Sequence, residues 1–135
     1  MKFLGIDYGT KRIGLAISDE RGVLAFPKEI IPAGSEAITQ IGEIIKKENI
    51  EEVVVGESVN FHGEPNIVSA EIEKFISKLE ESFNLSIHKQ KEFLTSVEAR
   101  KSQDDKSKKV DASAAALILQ RYLDKRNKAN IKDTP

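Results

Sequence analysis

The chain has 135 residues, 21 basic and 22 acidic side chains, a net charge of −1 and no cysteine, which suits one domain large enough to bury a core without staples. Absence of cysteine excludes disulfides and zinc–thiolate sites and fits a reducing compartment, so a cytoplasmic location is expected. No apolar run approaches the roughly 20 residues of a membrane span, the opening MKFLGIDYGT has no apolar signal core, and the balanced charge restricts any nucleic-acid binding to local clusters.

Residues 2–6, KFLGI, form a short apolar run that ends at Asp7 and reads as a buried strand. In residues 13–17, IGLAI, the branched residues Ile13, Leu15 and Ile17 alternate with small ones, as in a half-buried strand. Between the two lies DYGTKR, a turn-sized connection with a glycine where positive φ is tolerated. A third strand is expected over residues 23–31, after the turn Glu20-Arg21-Gly22, and the three strands form an antiparallel meander.

The period then changes. Ala37, Ile38, Ile41, Ile44 and Ile45 mark one helical face, with Ser35 as N-cap. Val53, Val54 and Val55 read as a strand buried on both faces, followed by a loop over residues 57–64. Val68, Ile72, Phe75, Ile76 and Leu79 define a second amphipathic helix with Pro65 near its start. Residues 85–89 alternate as a fifth strand, and Thr95 with Glu98 three residues on forms a capping box for a short helix. Ala112, Ala115, Ala116, Leu119, Tyr122 and Leu123 line the last helix, so residues 1–124 form the domain and residues 125–135 a polar, frayed tail. The order βββαβαβα predicts an α/β fold: a five-stranded mixed sheet flanked by helices, with strands four and five parallel to strand one.

Two aspartates stand where chemistry is commonly built. Asp7 lies where a buried strand meets a glycine turn, and ligands gather at the carboxyl ends of strands in open α/β sheets. Asp111 opens the last helix behind Lys108, Lys109 and Val110, where the helix dipole favours an acid. Each has a plain structural use as well, Asp7 in its own turn and Asp111 as a cap. Lys11-Arg12 and the run Lys106–Lys109 are the local basic clusters, and a solvated surface accounts for either one taken alone. His62, in a polar loop, and His88, in a strand, are expected at the surface.

Three segments carry a family resemblance. DYGTKRIGLAISD resembles the opening of the YqgF/RuvX family, FLTSVEAR its L-T-S-V-E-A segment, and KKVDASAAALILQRYLD its closing helix; the matches run in the family's order from Phe3 to Asp124. The resemblance implies an RNase H-like fold and a hydrolase that cleaves phosphodiester bonds. Family members are described either as nucleases that process the 5′ end of precursor 16S rRNA in ribosome biogenesis or as Holliday junction resolvases. It also implies carboxylates that bind Mg²⁺ or Mn²⁺, two ions roughly 4 Å apart stabilising the attacking and leaving oxygens. Asp7, Glu92 and Asp111 are then the metal-binding and catalytic acids, and Gly9, Thr10, Lys11, Arg12, Lys108 and Lys109 the substrate-binding residues. The partner is nucleic acid, structured RNA or branched DNA, and monomer and homodimer are both open.

The second acid departs from the family pattern. The family's D-E-R before L-T-S reads Lys91-Glu92-Phe93 here, and its G-L-P after strand four reads Gly56-Glu57-Ser58. Adjacent strand ends lie about 5 Å apart, so geometry favours Glu57 as the partner of Asp7, whereas the resemblance favours Glu92. Two readings of other classes stand beside the nuclease. One is a nucleotide-binding module, because D-x-G-T also resembles the first phosphate loop of actin-like kinases. The other is a nucleic-acid-binding domain that does not catalyse.

Overall fold

A computed structural model of the chain describes residues 1–59, 67–93 and 112–132. Its elements are β1 (Phe3–Tyr8), β2 (Arg12–Ser18), β3 (Ala25–Pro32), α1 (Ala37–Lys47), β4 (Glu52–Val59), α2 (Ile67–Ser82), β5 (Ser86–Phe93) and α3 (Ala112–Lys132). The sheet order is β3-β2-β1-β4-β5. β1 pairs antiparallel with β2 and β2 with β3, while β4 runs parallel to β1 and β5 parallel to β4. This is the expected meander followed by alternation of helix and strand, with β4 and β5 parallel to β1. The expected short helix at Thr95, together with Pro65 and His62, lies outside the described residues.

Alternation along each strand sorts the core into two layers. Leu4, Ile6, Ile13, Leu15, Val53 and Val55 face α1 and α2, meeting Ile41, Ile44, Ile72 and Leu79. Phe3, Ala16 and Val54 face α3, meeting Ala115, Leu119 and Leu123. The Val53–Val55 run is therefore buried on both sides, as its composition predicts. On the α3 side the strands carry glycine where the helix comes closest. A Cβ at Gly5 would lie 2.7 Å from the Leu119 Cβ and 3.1 Å from the Ala115 carbonyl oxygen. Gly5→Ala should therefore push α3 off the sheet and destabilise the chain by about 1–3 kcal/mol, read from the urea midpoint at unchanged slope.

Local chemistry ends each element. After β2, the Asp19 carboxylate accepts from the backbone N–H of Val23 at 2.8 Å and of Leu24 at 3.2 Å, and Gly22 turns the chain at φ 67°, a conformation that favours glycine. In β3 the register slips between Leu15 and Ala16 of its partner. Pro27 lacks an N–H, and β3 lies at the sheet edge, where proline and a bulge discourage further pairing. α1 is not capped by Ser35 as expected. Its N-cap is Glu36, with no side-chain bond, because a backbone turn from the Ala37 N–H to the Gly34 carbonyl at 3.1 Å does the work. The same helix closes on Asn49 at φ 56°, with the Ile50 N–H bonding back to the Ile45 carbonyl at 2.9 Å, a Schellman turn.

Two expectations at the periphery need correction. α3 does not fray at Asp124 but runs on to Lys132. Past that point Asn127 donates to the Gly22 carbonyl at 3.0 Å and the Arg126 guanidinium lies 5.2 Å from the Phe3 ring centroid. One turn earlier, Gln120 bridges the Ala25 N–H and the Val23 carbonyl, at 2.9 and 2.8 Å. His88 is not a plain surface residue either. It is half-buried beneath α3, its Nε2 is 2.5 Å from Glu52 Oε1, and its ring stacks on Tyr122 at 5.1 Å. Among the described residues no helix is long and apolar enough to cross a membrane.

Candidate active site

The parallel strands β1, β4 and β5 all end at one edge of the sheet. Asp7 lies there, half-buried, with Gly14 as its Cα partner in β2 and one residue beyond the Ile6–Val55 pair with β4. Its neighbouring positions on both adjoining strands, Gly14 and Gly56, are therefore glycine and contribute no side chain beside the carboxylate. Alternation gives Asp7 the same face as Phe3 and Gly5, the face that α3 covers. The hairpin beyond it carries Gly9, half-buried, and Thr10, Lys11 and Arg12, all exposed; the Lys11 carbonyl accepts from the Ala33 N–H at 2.9 Å. This brings a carboxylate and two cations to one strand end.

α3 runs antiparallel to β1. Tyr122 meets Phe3 with ring centroids 6.0 Å apart, whereas Leu119 and Ala115 meet Gly5. Ala112 is three residues further toward the N-terminus, about 4.5 Å of rise, and Asp7 is two strand residues beyond Gly5, about 6.6 Å. The start of α3 thus approaches the level of Asp7 on the same face. Asp111, Lys108 and Lys109 lie outside the described residues, as do the side chains of Glu57 and Glu92.

Backbone register bears on the two competing glutamates. β4 continues to Val59, so Glu57 is inside a strand rather than in the expected loop, paired with Lys91. β1 and β4 are parallel neighbours, as the proximity argument required. Position 57, however, has the parity of Val53 and Val55, the α1–α2 face, opposite to that of Asp7. Position 92 pairs with Ser58 and has the parity of His88, which stacks on Tyr122 of α3. Nearness of strand ends and strand alternation therefore favour different glutamates. Among the described residues no group of three or more His, Asp or Glu side chains is placed to hold a metal.

Comparison with known proteins gives this edge a context. The family model described as "RuvX: Holliday junction resolvase" matches residues 1–125. A relative from Lawsonia intracellularis named "Putative pre-16S rRNA nuclease" is 37% identical over 133 residues, 92% of this chain and 94% of its own length. Another of that name, from Ruminiclostridium cellulolyticum, is 37% identical over 135 residues, 93% of this chain and 95% of its own. Among solved structures, the fowlpox virus Holliday junction resolvase is similar at a TM-score of 0.53 and 14% identity, covering 93% of this chain and 99% of that one. Thermus thermophilus RuvC in complex with Holliday junction substrate is similar at 0.51 and 14%, covering 67% of this chain and 64% of that one. At such identity the structures speak for the fold alone, which is the RNase H-like sheet of these resolvases. The family match from end to end and the relatives well above 30% identity carry more, and on them the chain belongs to the YqgF/RuvX family.

Proposed function

We propose that the chain is a metal-dependent nuclease that hydrolyses phosphodiester bonds and processes the 5′ end of precursor 16S rRNA in the cytoplasm. The observation that carries this reading is similarity over more than nine-tenths of both chains to relatives named for that activity. The catalytic unit is assigned to residues 1–124, with the remainder of α3 clamping the β2–β3 turn.

Asp7 suits a hard divalent cation: a half-buried carboxylate at a strand end, flanked by glycine positions on both sides. Glu92 and Asp111 complete the proposed ligand set. Support for Glu92 over Glu57 comes from the parity of its register position, and for Asp111 from its place directly before Ala112. Mg²⁺ or Mn²⁺, two ions in this reading, would supply charge stabilisation for the attacking and leaving oxygens and an activated water. The chain's own contribution is positional. Asp7 fixes one ligand on a rigid strand, and the Gly9–Thr10 turn lets a phosphate approach the sheet edge. Lys11 and Arg12, with Lys108 and Lys109, draw the polyanion in.

Lys108→Ala/Lys109→Ala should weaken nucleic-acid binding across sequences and lower the slope of log affinity against log salt by roughly one per lost contact. Titrations at several salt concentrations check this, and an unchanged slope would return both lysines to the solvated surface. The main test is cleavage of a precursor 16S rRNA 5′ region beside a four-way DNA junction, with and without Mg²⁺ or Mn²⁺. The family description and the resolvase fold favour one further reading, a Holliday junction resolvase. Symmetric cutting needs two active sites, so preference for the junction together with a dimer in solution would select it. ATP binding without cleavage would select the nucleotide-binding module, and nucleic-acid binding without cleavage the non-catalytic domain.

A further inference from the structure

On the side of the sheet away from α3, the end of β1 opens into a cleft that the nuclease chemistry does not use. Tyr8 follows Asp7, so it has the opposite face, the one covered by α1 and α2. Its ring stacks on Phe75 of α2 with centroids 4.8 Å apart and 26° between planes. Beside this pair lies a cleft of about 280 Å³, bounded by Ile38 of α1 and by Glu71, Lys74 and Lys78 of α2. Positions 71, 74, 75 and 78 follow the spacing of one helical face. Phe75 goes into the core, and the two lysines and the glutamate stay exposed at the rim.

An aromatic and apolar floor under two ammonium groups selects its ligand. An apolar peptide side chain would fill the floor and leave the lysines unanswered; a bare phosphate would do the reverse. A nucleotide answers both. A base stacks on an aromatic side chain, ammonium groups one helical turn apart pair with its phosphate, and the Glu71 carboxylate can accept from an exocyclic amine. The volume is just below the roughly 300–1,000 Å³ of small-molecule pockets, a size for one base rather than a longer ligand.

We propose that this cleft is a subsite for one nucleotide of the substrate strand, flanking the phosphate held at Asp7, with its base against Tyr8 and its phosphate between Lys74 and Lys78. The proposal rests on the nuclease reading for the source of the nucleotide. Asp7 and Tyr8 are consecutive residues at the same sheet edge, so a strand crossing that edge leaves one unit on each side. Such a strand must be unpaired there for its base to splay out, which makes a single-stranded flank the preferred substrate.

The chain has two tyrosines and no tryptophan, so in Tyr122→Phe the ultraviolet emission reports on Tyr8 alone. The full chain in that background, without divalent metal, is titrated with adenosine 5′-monophosphate, adenosine, inorganic phosphate and a single-stranded RNA pentamer. The monophosphate and the pentamer should quench Tyr8, adenosine should bind roughly tenfold more weakly than its monophosphate, and phosphate alone should not quench. Lys74→Ala/Lys78→Ala should bring the monophosphate down to the affinity of adenosine with circular dichroism unchanged, since both positions are exposed on a helix that alanine favours. In cleavage the same pair should raise KM about tenfold with kcat within about twofold. Failure of both monophosphate and pentamer to quench Tyr8 would overturn the site. Quenching with an unchanged KM would give the cleft to a free nucleotide and overturn the substrate subsite. If the wild-type chain cleaves nothing yet the pentamer quenches through Lys74 and Lys78, the subsite stands and the nuclease reading falls.

Discussion

Asp7→Asn should abolish metal-dependent cleavage, by at least about 10³-fold, which is about 4 kcal/mol of lost transition-state stabilisation. Asparagine keeps the size of the side chain but removes the charge that holds a hard cation. The packing should be unchanged: the position is half-buried near the end of β1, its neighbouring positions on β2 and β4 are Gly14 and Gly56, and asparagine has the shape of aspartate. Without metal, clustered carboxylates repel one another, so the melting temperature of the variant should be unchanged or slightly raised. Single-turnover cleavage and thermal melting of the same preparation check both halves. Full activity in the variant would falsify the metal-site assignment. Lost activity with a lowered melting temperature would point to a structural role in the β1–β2 turn instead.

The second large effect is a ranking. Glu92→Gln should cost several orders of magnitude in cleavage, whereas Glu57→Gln should leave the rate within about twofold. The basis is alternation within a strand. Position 92 has the parity of His88 and therefore the α3 face, with Asp7; position 57 has the parity of Val53 and Val55 and therefore the other. Cleavage rates of the two variants beside wild type decide the matter. Activity lost in Glu57→Gln and kept in Glu92→Gln would move the site to the α1–α2 side of the sheet. Loss in neither would leave Asp7 and Asp111 without the proposed partner, and the chain would be read as a binding domain.

Much of the fold was legible in local patterns. Ile13, Leu15 and Ile17 alternate because one face of β2 is packed under helices, and Ile41, Ile44 and Ile45 recur at helical spacing because α1 buries one stripe. Val53–Val55 carries no alternation because the strand is covered on both sides. The meander followed by helix–strand alternation then allows few topologies, and the observed β3-β2-β1-β4-β5 order is one of them. The place of Asp7 near the end of β1 was legible too, since an acid between an apolar run and a glycine turn stands out without any structure.

Only tertiary structure decided the rest. Residues 57–64 read as a loop by composition, yet β4 persists to Val59 because β5 supplies ladder partners as far as Phe93. His88 reads as a surface residue until α3 lays Tyr122 over it, and the end of α3 reads as a frayed tail until Gly22 and Phe3 give it partners. The pairing of Tyr8 with Phe75 joins residues 67 positions apart in the chain, and no local pattern announces it. The reason is common to all of these. Hydrophobic period and turn chemistry are properties of neighbours in sequence. The face that a strand residue serves, and the side chain it meets there, depend on the register with strands and helices that arrive much later in the chain.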